Sequence, residues 1–150
     1  MIKKILLPVD GSEFGMKAYE YALELSKAYD AEILVLNVQP KHVPSSVELA
    51  YDNEGIYQSD TVEKDDANHE IRGEETAKRA MDYFLERDVN ASARVLLGDP
   101  AEIIVEVSKN EKFDLTIMCT HGMGFTKRFR MGSVTDKVVH HSSVPVYVIR

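Results

Sequence analysis

The sequence predicts an α/β fold: a three-layer sandwich in which a five-stranded parallel sheet carries helices on both faces. Two observations predict it. Short apolar runs alternate with stretches of helical periodicity in the order β-α-β-α-β-α-β-α-β along the chain, which is the pattern of successive right-handed crossover units. The clearest run, Glu32 to Val38 (EILVLNV), is almost continuously apolar rather than alternating, as a strand is when helices cover both of its faces.

Each element has a local reason. Ile2 to Val9 is a short apolar run closed by Pro8 and an Asp10-Gly11 turn signal, and reads as a buried strand. Ser12 can cap the next helix by accepting from a first-turn amide. Ala18, Tyr21, Ala22 and Leu25 then recur at helical spacing to about Tyr29-Asp30. After the second strand, Gln39 to about Asp66 holds Pro40, Pro44, Ser45-Ser46, Gly55 and many acids; it reads as a long, mobile, partly helical excursion. A helix is expected from about Asn68 to Arg87, with Ala77, Ala80, Met81 and Phe84 as its apolar stripe and Gly73 as a mild weak point. Ala91 to Gly98 is the third strand. Asp99-Pro100-Ala101-Glu102 opens a helix to about Asn110, with Asp as cap, Pro at the first helical position and Glu placed for a capping box. Asp114 to Thr120 is the fourth strand, Ser133 to about His141 the last helix, with Val134 and Val138 facing inward, and Val144 to Ile149 the final strand.

Composition narrows the functional classes. A chain of 150 residues with 44% hydrophobic and 29% charged residues suits one soluble domain, residues 1–150. The formal net charge of -7 argues against a broad nucleic-acid or anionic-membrane surface. Cys119 is the lone cysteine, so no internal disulfide and no cysteine-based metal site can form. No signal segment and no apolar run of membrane-spanning length is visible; a cytoplasmic location is expected.

The densest chemistry lies in THGMGFTKRFRMGSVT, Thr120 to Thr135. In an open α/β sheet, ligands bind beyond the carboxyl ends of the strands where the strand order reverses. The ends of strand one (Pro8 to Ser12), strand two (Val38-Gln39) and strand four are expected to meet there. Gly122 and Gly124 let backbone approach a ligand closely, and the start of the last helix suits an anion. Ser133 adds a hydroxyl, and Lys127 and Arg130 can screen a polyphosphate. Plainer readings stand beside these. The glycines can serve only a turn, the cations a solvated face, and Asp10-Gly11-Ser12 only a turn and cap. His121 can be an ordinary loop residue, and Met118 and Cys119 plain core.

KKILLPVDGSE, ILVLNV, GDPAEII and CTHGMGFTKRFRMGSVTDKVVHHSSVPVYVI together resemble the universal stress protein family over essentially the whole chain, least across Gln39 to Asp66. The resemblance implies a Rossmann-like, adenine nucleotide α-hydrolase-like sheet of order 3-2-1-4-5 with two helices on each side. The family's nucleotide-binding motif is glycine, two residues, glycine, nine residues, glycine, then Ser or Thr. Gly122, the nine residues Met123 to Met131, and Gly132-Ser133 match it, whereas the first glycine falls on Cys119.

By resemblance, Asp10 and the backbone of Val38 meet adenine, with Pro8 and Val9 shaping the same wall and Met118 closing the strand beside it. Cys119, Thr120, His121, Gly122 and Gly124 line the ribose and first phosphates. Gly132, Ser133, Val134 and Thr135 hold the phosphate tail of ATP or AMP, with Mg²⁺ or Mn²⁺ on the phosphates. Val144 to Ile149 pairs antiparallel with its copy in a homodimer, which also protects an apolar edge. The expected function is an ATP-binding, non-enzymatic stress or signalling module; the alternative is a dimeric scaffold of the same fold whose nucleotide site Cys119 has disabled.

Overall fold

The computed structural model describes residues 1–41, 49–52, 55–58, 60–120 and 131–150. In chain order the elements are β1 (Lys4–Pro8), α1 (Met16–Tyr29), β2 (Glu32–Gln39), β3 (Leu49–Asp52), β4 (Gly55–Gln58), α2 (Asp60–Leu85), β5 (Ala91–Leu97), α3 (Pro100–Asn110), β6 (Leu115–Cys119), α4 (Ser133–His141) and β7 (Val146–Ile149). Five of the strands form one sheet in the order β5-β2-β1-β6-β7, with every pair parallel. Numbered by position in the chain, that order is the expected 3-2-1-4-5.

Alternation along the strands sorts side chains between the two faces. Ile5, Leu7, Ile33, Val35 and Ile117 pack with Ala18 and Ala22 of α1 and with Ala77, Ala80 and Phe84 of α2. On the other face, Leu6, Leu34, Leu36 and Met118 pack with Ala101, Ile104 and Val107 of α3 and with Val138 of α4. Two helices therefore cover each face, and the strand order reverses between β1 and β6.

Beyond shifts of one or two residues at other element ends, three features differ from expectation. The excursion after β2 contains an antiparallel hairpin, β3 with β4, that stands apart as a two-stranded sheet. Helix α2 begins at Asp60 rather than near Asn68, because its first turns are highly charged and carry no apolar stripe that would mark them. The last strand begins at Val146 rather than Val144; Pro145 has no N–H for a ladder, although its carbonyl accepts from Thr116 N–H at 2.9 Å.

Gly73 is more than a weak point. A Cβ built there would lie 2.7 Å from both Asn37 Oδ1 and Val95 Cγ1, so the missing side chain is what lets α2 rest on β2 and β5. At the opposite end of the sheet, the Asp114 carboxylate accepts from the Lys3 and Lys4 amides at 2.7 and 2.9 Å. It thereby ties the start of β1 to β6. Arg94 of β5 makes a forked contact with the Glu111 carboxylate just past α3.

A cleft where the central strands part

The ladder between β1 and β6 runs only through Ile5↔Leu115 and Leu6↔Thr116, while β6 continues beside β7 as far as Cys119↔Ile149. Pro8 lies past the last β1–β6 rung, and with no N–H it cannot extend that ladder. A cleft of about 240 Å³ opens over the parted ends.

Ten of the expected site residues line it: Pro8, Val9 and Asp10 from the end of β1, Val38 from β2, Met118 and Cys119 from β6, and Gly132, Ser133, Val134 and Thr135 from the start of α4. Thr120 does not line it; its N–H donates to Ile149 O at 2.8 Å and its carbonyl accepts from Gly132 N–H at 2.6 Å. His121, Gly122, Gly124, Lys127 and Arg130 lie outside the described residues. Gly15, Ala18, Leu36, Pro100 and Ile104 also line the cleft and were not expected there. Pro100 sits in the strong helix start after Asp99, and Leu36 lies two residues before Val38 on the same strand face. Those two signals were available; nothing local marks Gly15, Ala18 or Ile104.

The β1 wall is built by a turn. Ser12 N–H donates to Asp10 Oδ1 at 2.9 Å, and Gly11 adopts φ +79, a left-handed value that favours glycine. Ser12 caps the short 3-10 turn Glu13–Gly15, with its hydroxyl accepting from Gly15 N–H at 3.3 Å, and that turn leads into α1. The expected cap is thus present, one turn ahead of the α-helix.

Two bonds seat the start of α4 on the end of β6. Gly132 N–H donates to Thr120 O, and the buried Thr135 hydroxyl donates to Cys119 O at 2.8 Å. Thr135 therefore anchors the helix through its side chain. No side chain caps α4; its first backbone bond runs from Asp136 N–H to Gly132 O at 2.9 Å. Among the described residues nothing accepts from the Ser133, Val134 and Thr135 amides. These are the orphan donors of a helix N-terminus, aimed where the dipole favours an anion.

Cys119 ends β6 in ordinary extended backbone, outside the residues with positive φ. The residue in place of the motif glycine therefore carries no backbone strain. Burial pushes its thiol pKa up, and the nearby Asp10 charge adds to this against the opposing Ala18 N–H and Lys17, so the sulfur stays protonated at neutral pH. Next to the cleft, the Asp99 carboxyl is held below the usual carboxylate range, chiefly by the Glu102 N–H. Lys137 of α4 lies 3.7 Å from the same carboxylate. Among the described residues no three His, Cys, Asp or Glu side chains gather to hold a metal, and no helix is long and apolar enough to cross a membrane.

A model of the Universal stress protein family matches residues 1–150. A universal stress protein of Methanocaldococcus jannaschii is 30% identical, covering 100% of this chain and 83% of its own. The UspA universal stress protein of Lactobacillus plantarum superposes with a TM-score of 0.81 at 20% identity, over 99% of this chain and 97% of its own. An Arabidopsis thaliana family member with AMP bound superposes at 0.67 and 22% identity, over 98% and 90% of the two chains. An Archaeoglobus fulgidus universal stress protein in complex with dAMP does so at 0.64 and 16% identity, over 100% and 98%. A further universal stress protein, in complex with cAMP, does so at 0.68 and 18% identity, over 99% and 97%. At these identities the structural likeness is one of fold.

Proposed function

The chain belongs to the universal stress protein family, and on that premise we propose that it binds an adenine nucleotide in the cleft over β1 and β6. One observation carries the reading: Ser133, Val134 and Thr135, the first turn of a helix with no side-chain cap, line the same cleft as Val38 and Asp10. One end of the cleft offers donors to phosphate and the other a polar edge to a base. Relatives of the same fold that hold AMP, dAMP or cAMP support the ligand class. ATP, with Mg²⁺ or Mn²⁺ carried on its phosphate oxygens, is the proposed ligand, and AMP shares its adenine contacts.

The protein is proposed to act as a cytoplasmic stress or signalling module rather than an enzyme, with nucleotide occupancy altering the surface offered to partners. It is proposed to pair through Val144 to Ile149. Strand β7 ends the sheet, so symmetric pairing would satisfy its outer backbone groups. A specific observation keeps the scaffold alternative in view: the half-buried Cys119 thiol lines the cleft where the family motif has glycine.

Isothermal titration of ATP-Mg²⁺ and AMP into nucleotide-stripped protein tests the reading, with saturable binding to one site per chain as the expected result. No heat and no competition at millimolar nucleotide would leave the scaffold reading. Cys119→Gly separates the two: a strong rise in ATP affinity marks Cys119 as a lesion, and little change marks it as tolerated.

A further inference from the structure

We propose that Asn37 is a positioning residue that holds the adenine-facing edge of the cleft open by occupying the carbonyl of Val9. The inference rests on the nucleotide reading for its functional consequence but not for its structural test.

The ladder supplies the geometry. Strands β1 and β2 pair as far as Pro8↔Leu36, and Val9 N–H then donates to Leu36 O at 2.9 Å. In a parallel sheet the next rung would run from Val38 N–H to Val9 O. That rung is not made. The Asn37 side chain takes its place, with Nδ2 donating to Val9 O at 2.8 Å. A carbonyl can only accept, so the nitrogen must face Val9, and Asn37 Oδ1 in turn accepts from Gln39 Nε2 at 2.8 Å. Asn37 is 1% exposed and lies on the α2 face, where Gly73 leaves room for it. Residues of one strand present their N–H and C=O to alternate neighbours. Leu36 bonds toward β1 and Gln39 bonds toward β5, through Gly98 N–H at 2.9 Å. Val38 therefore presents its N–H and C=O toward β1 one step past the last rung, at the cleft it lines.

A purely apolar residue at position 37 would fill the same space but leave Val9 O buried without a donor, a costly state. Val38 N–H is the nearest remedy, and bonding it to Val9 O would zip β1 to β2 by one more rung. The donor offered to a base would then be lost.

Amide hydrogen exchange by NMR on the nucleotide-free full chain tests this. In the native chain the Val38 N–H is expected to exchange with little protection, and in Asn37→Leu its protection is expected to rise about tenfold or more as the new rung forms. Gln39→Ala, a milder change that frees the Asn37 amide from its second partner, should raise protection in the same direction by less, and serves if Asn37→Leu does not fold. A Val38 amide already protected in the native chain, or unchanged in the variants, overturns the proposal whatever the nucleotide does. Titration with ATP is the separate arm. With the Val38 amide newly protected, affinity should fall about tenfold; protection gained with affinity unchanged would count against Val38 as the base contact and leave the structural role of Asn37 standing. Lost stability alone would change neither the single-amide signature nor its location.

Discussion

Gly73→Ala sets two physical effects against each other. In the interior of α2, replacing glycine by alanine favours the helix by about 1 kcal/mol, and on that ground alone the variant should be more stable. The structure reverses the sign. The new Cβ would sit 2.7 Å from Asn37 Oδ1 and from Val95 Cγ1, and 3.1 Å from Gln39 Cγ. Neither of the two nearest atoms can yield cheaply. Asn37 is buried and bonded at both ends of its amide, and Val95 is a β-branched residue on a paired strand. Overpacking of this kind costs roughly 1–3 kcal/mol, and a displaced Asn37 bond adds about 1 kcal/mol. The net is a destabilisation of about 1–3 kcal/mol, or a Tm lower by roughly 2–12 °C for a domain this size. Urea unfolding with an unchanged m-value measures it. A variant more stable than the native chain by about 1 kcal/mol would refute the close-approach argument and return Gly73 to a simple weak point.

Three other outcomes follow from single groups. Thr116 Oγ1 is the buried side-chain atom that finds no hydrogen-bond partner among the described residues, so Thr116→Val should stabilise by about 1 kcal/mol in urea unfolding; a loss of stability would mean the hydroxyl has a partner. The Asp114 carboxyl is held below its usual range by the Lys3 and Lys4 amides, so its stabilisation is complete above about pH 4 and is lost as pH falls through the lowered native value. Asp114→Asn should therefore differ most from the native chain near neutral pH and converge with it in acid, which unfolding midpoints at several pH values would record. Burial raises the Cys119 thiol pKa, so alkylation by iodoacetamide at neutral pH should be slower than for an exposed cysteine, faster as pH rises, and slower again with ATP in the cleft. Equal rates with and without saturating ATP would place the ligand elsewhere.

The parts of the fold written in local chemistry were legible. Asp99-Pro100-Ala101-Glu102 announced the start of α3, and the Asp99 carboxylate does accept from Glu102 N–H at 3.0 Å. Near-continuous apolar runs marked the strands. The strand order was different, since no short window records which strand lies beside which; it came from resemblance across the whole chain. The hairpin β3–β4 was hidden because two four-residue strands lie in a stretch whose prolines and paired serines dominate a reading by propensity. Cleft residues contributed by strand ends and by the α4 start were also readable, because ligand sites in such sheets follow from topology. Ala18 and Ile104 were not, because small or apolar side chains on helices announce burial without saying against what. The Asn37 contact to Val9 was equally silent, since a polar residue in an apolar strand does not name its partner 28 positions away.

The most direct measurement is an amide shift titration of isotope-labelled protein with ATP-Mg²⁺. Binding in the cleft predicts that Val38, Ser133, Val134 and Thr135 shift together and saturate with one affinity, while Arg94 on the distant edge strand stays still. Shifts that avoid these amides, or none at millimolar nucleotide, would contradict a nucleotide site at the parting of β1 and β6.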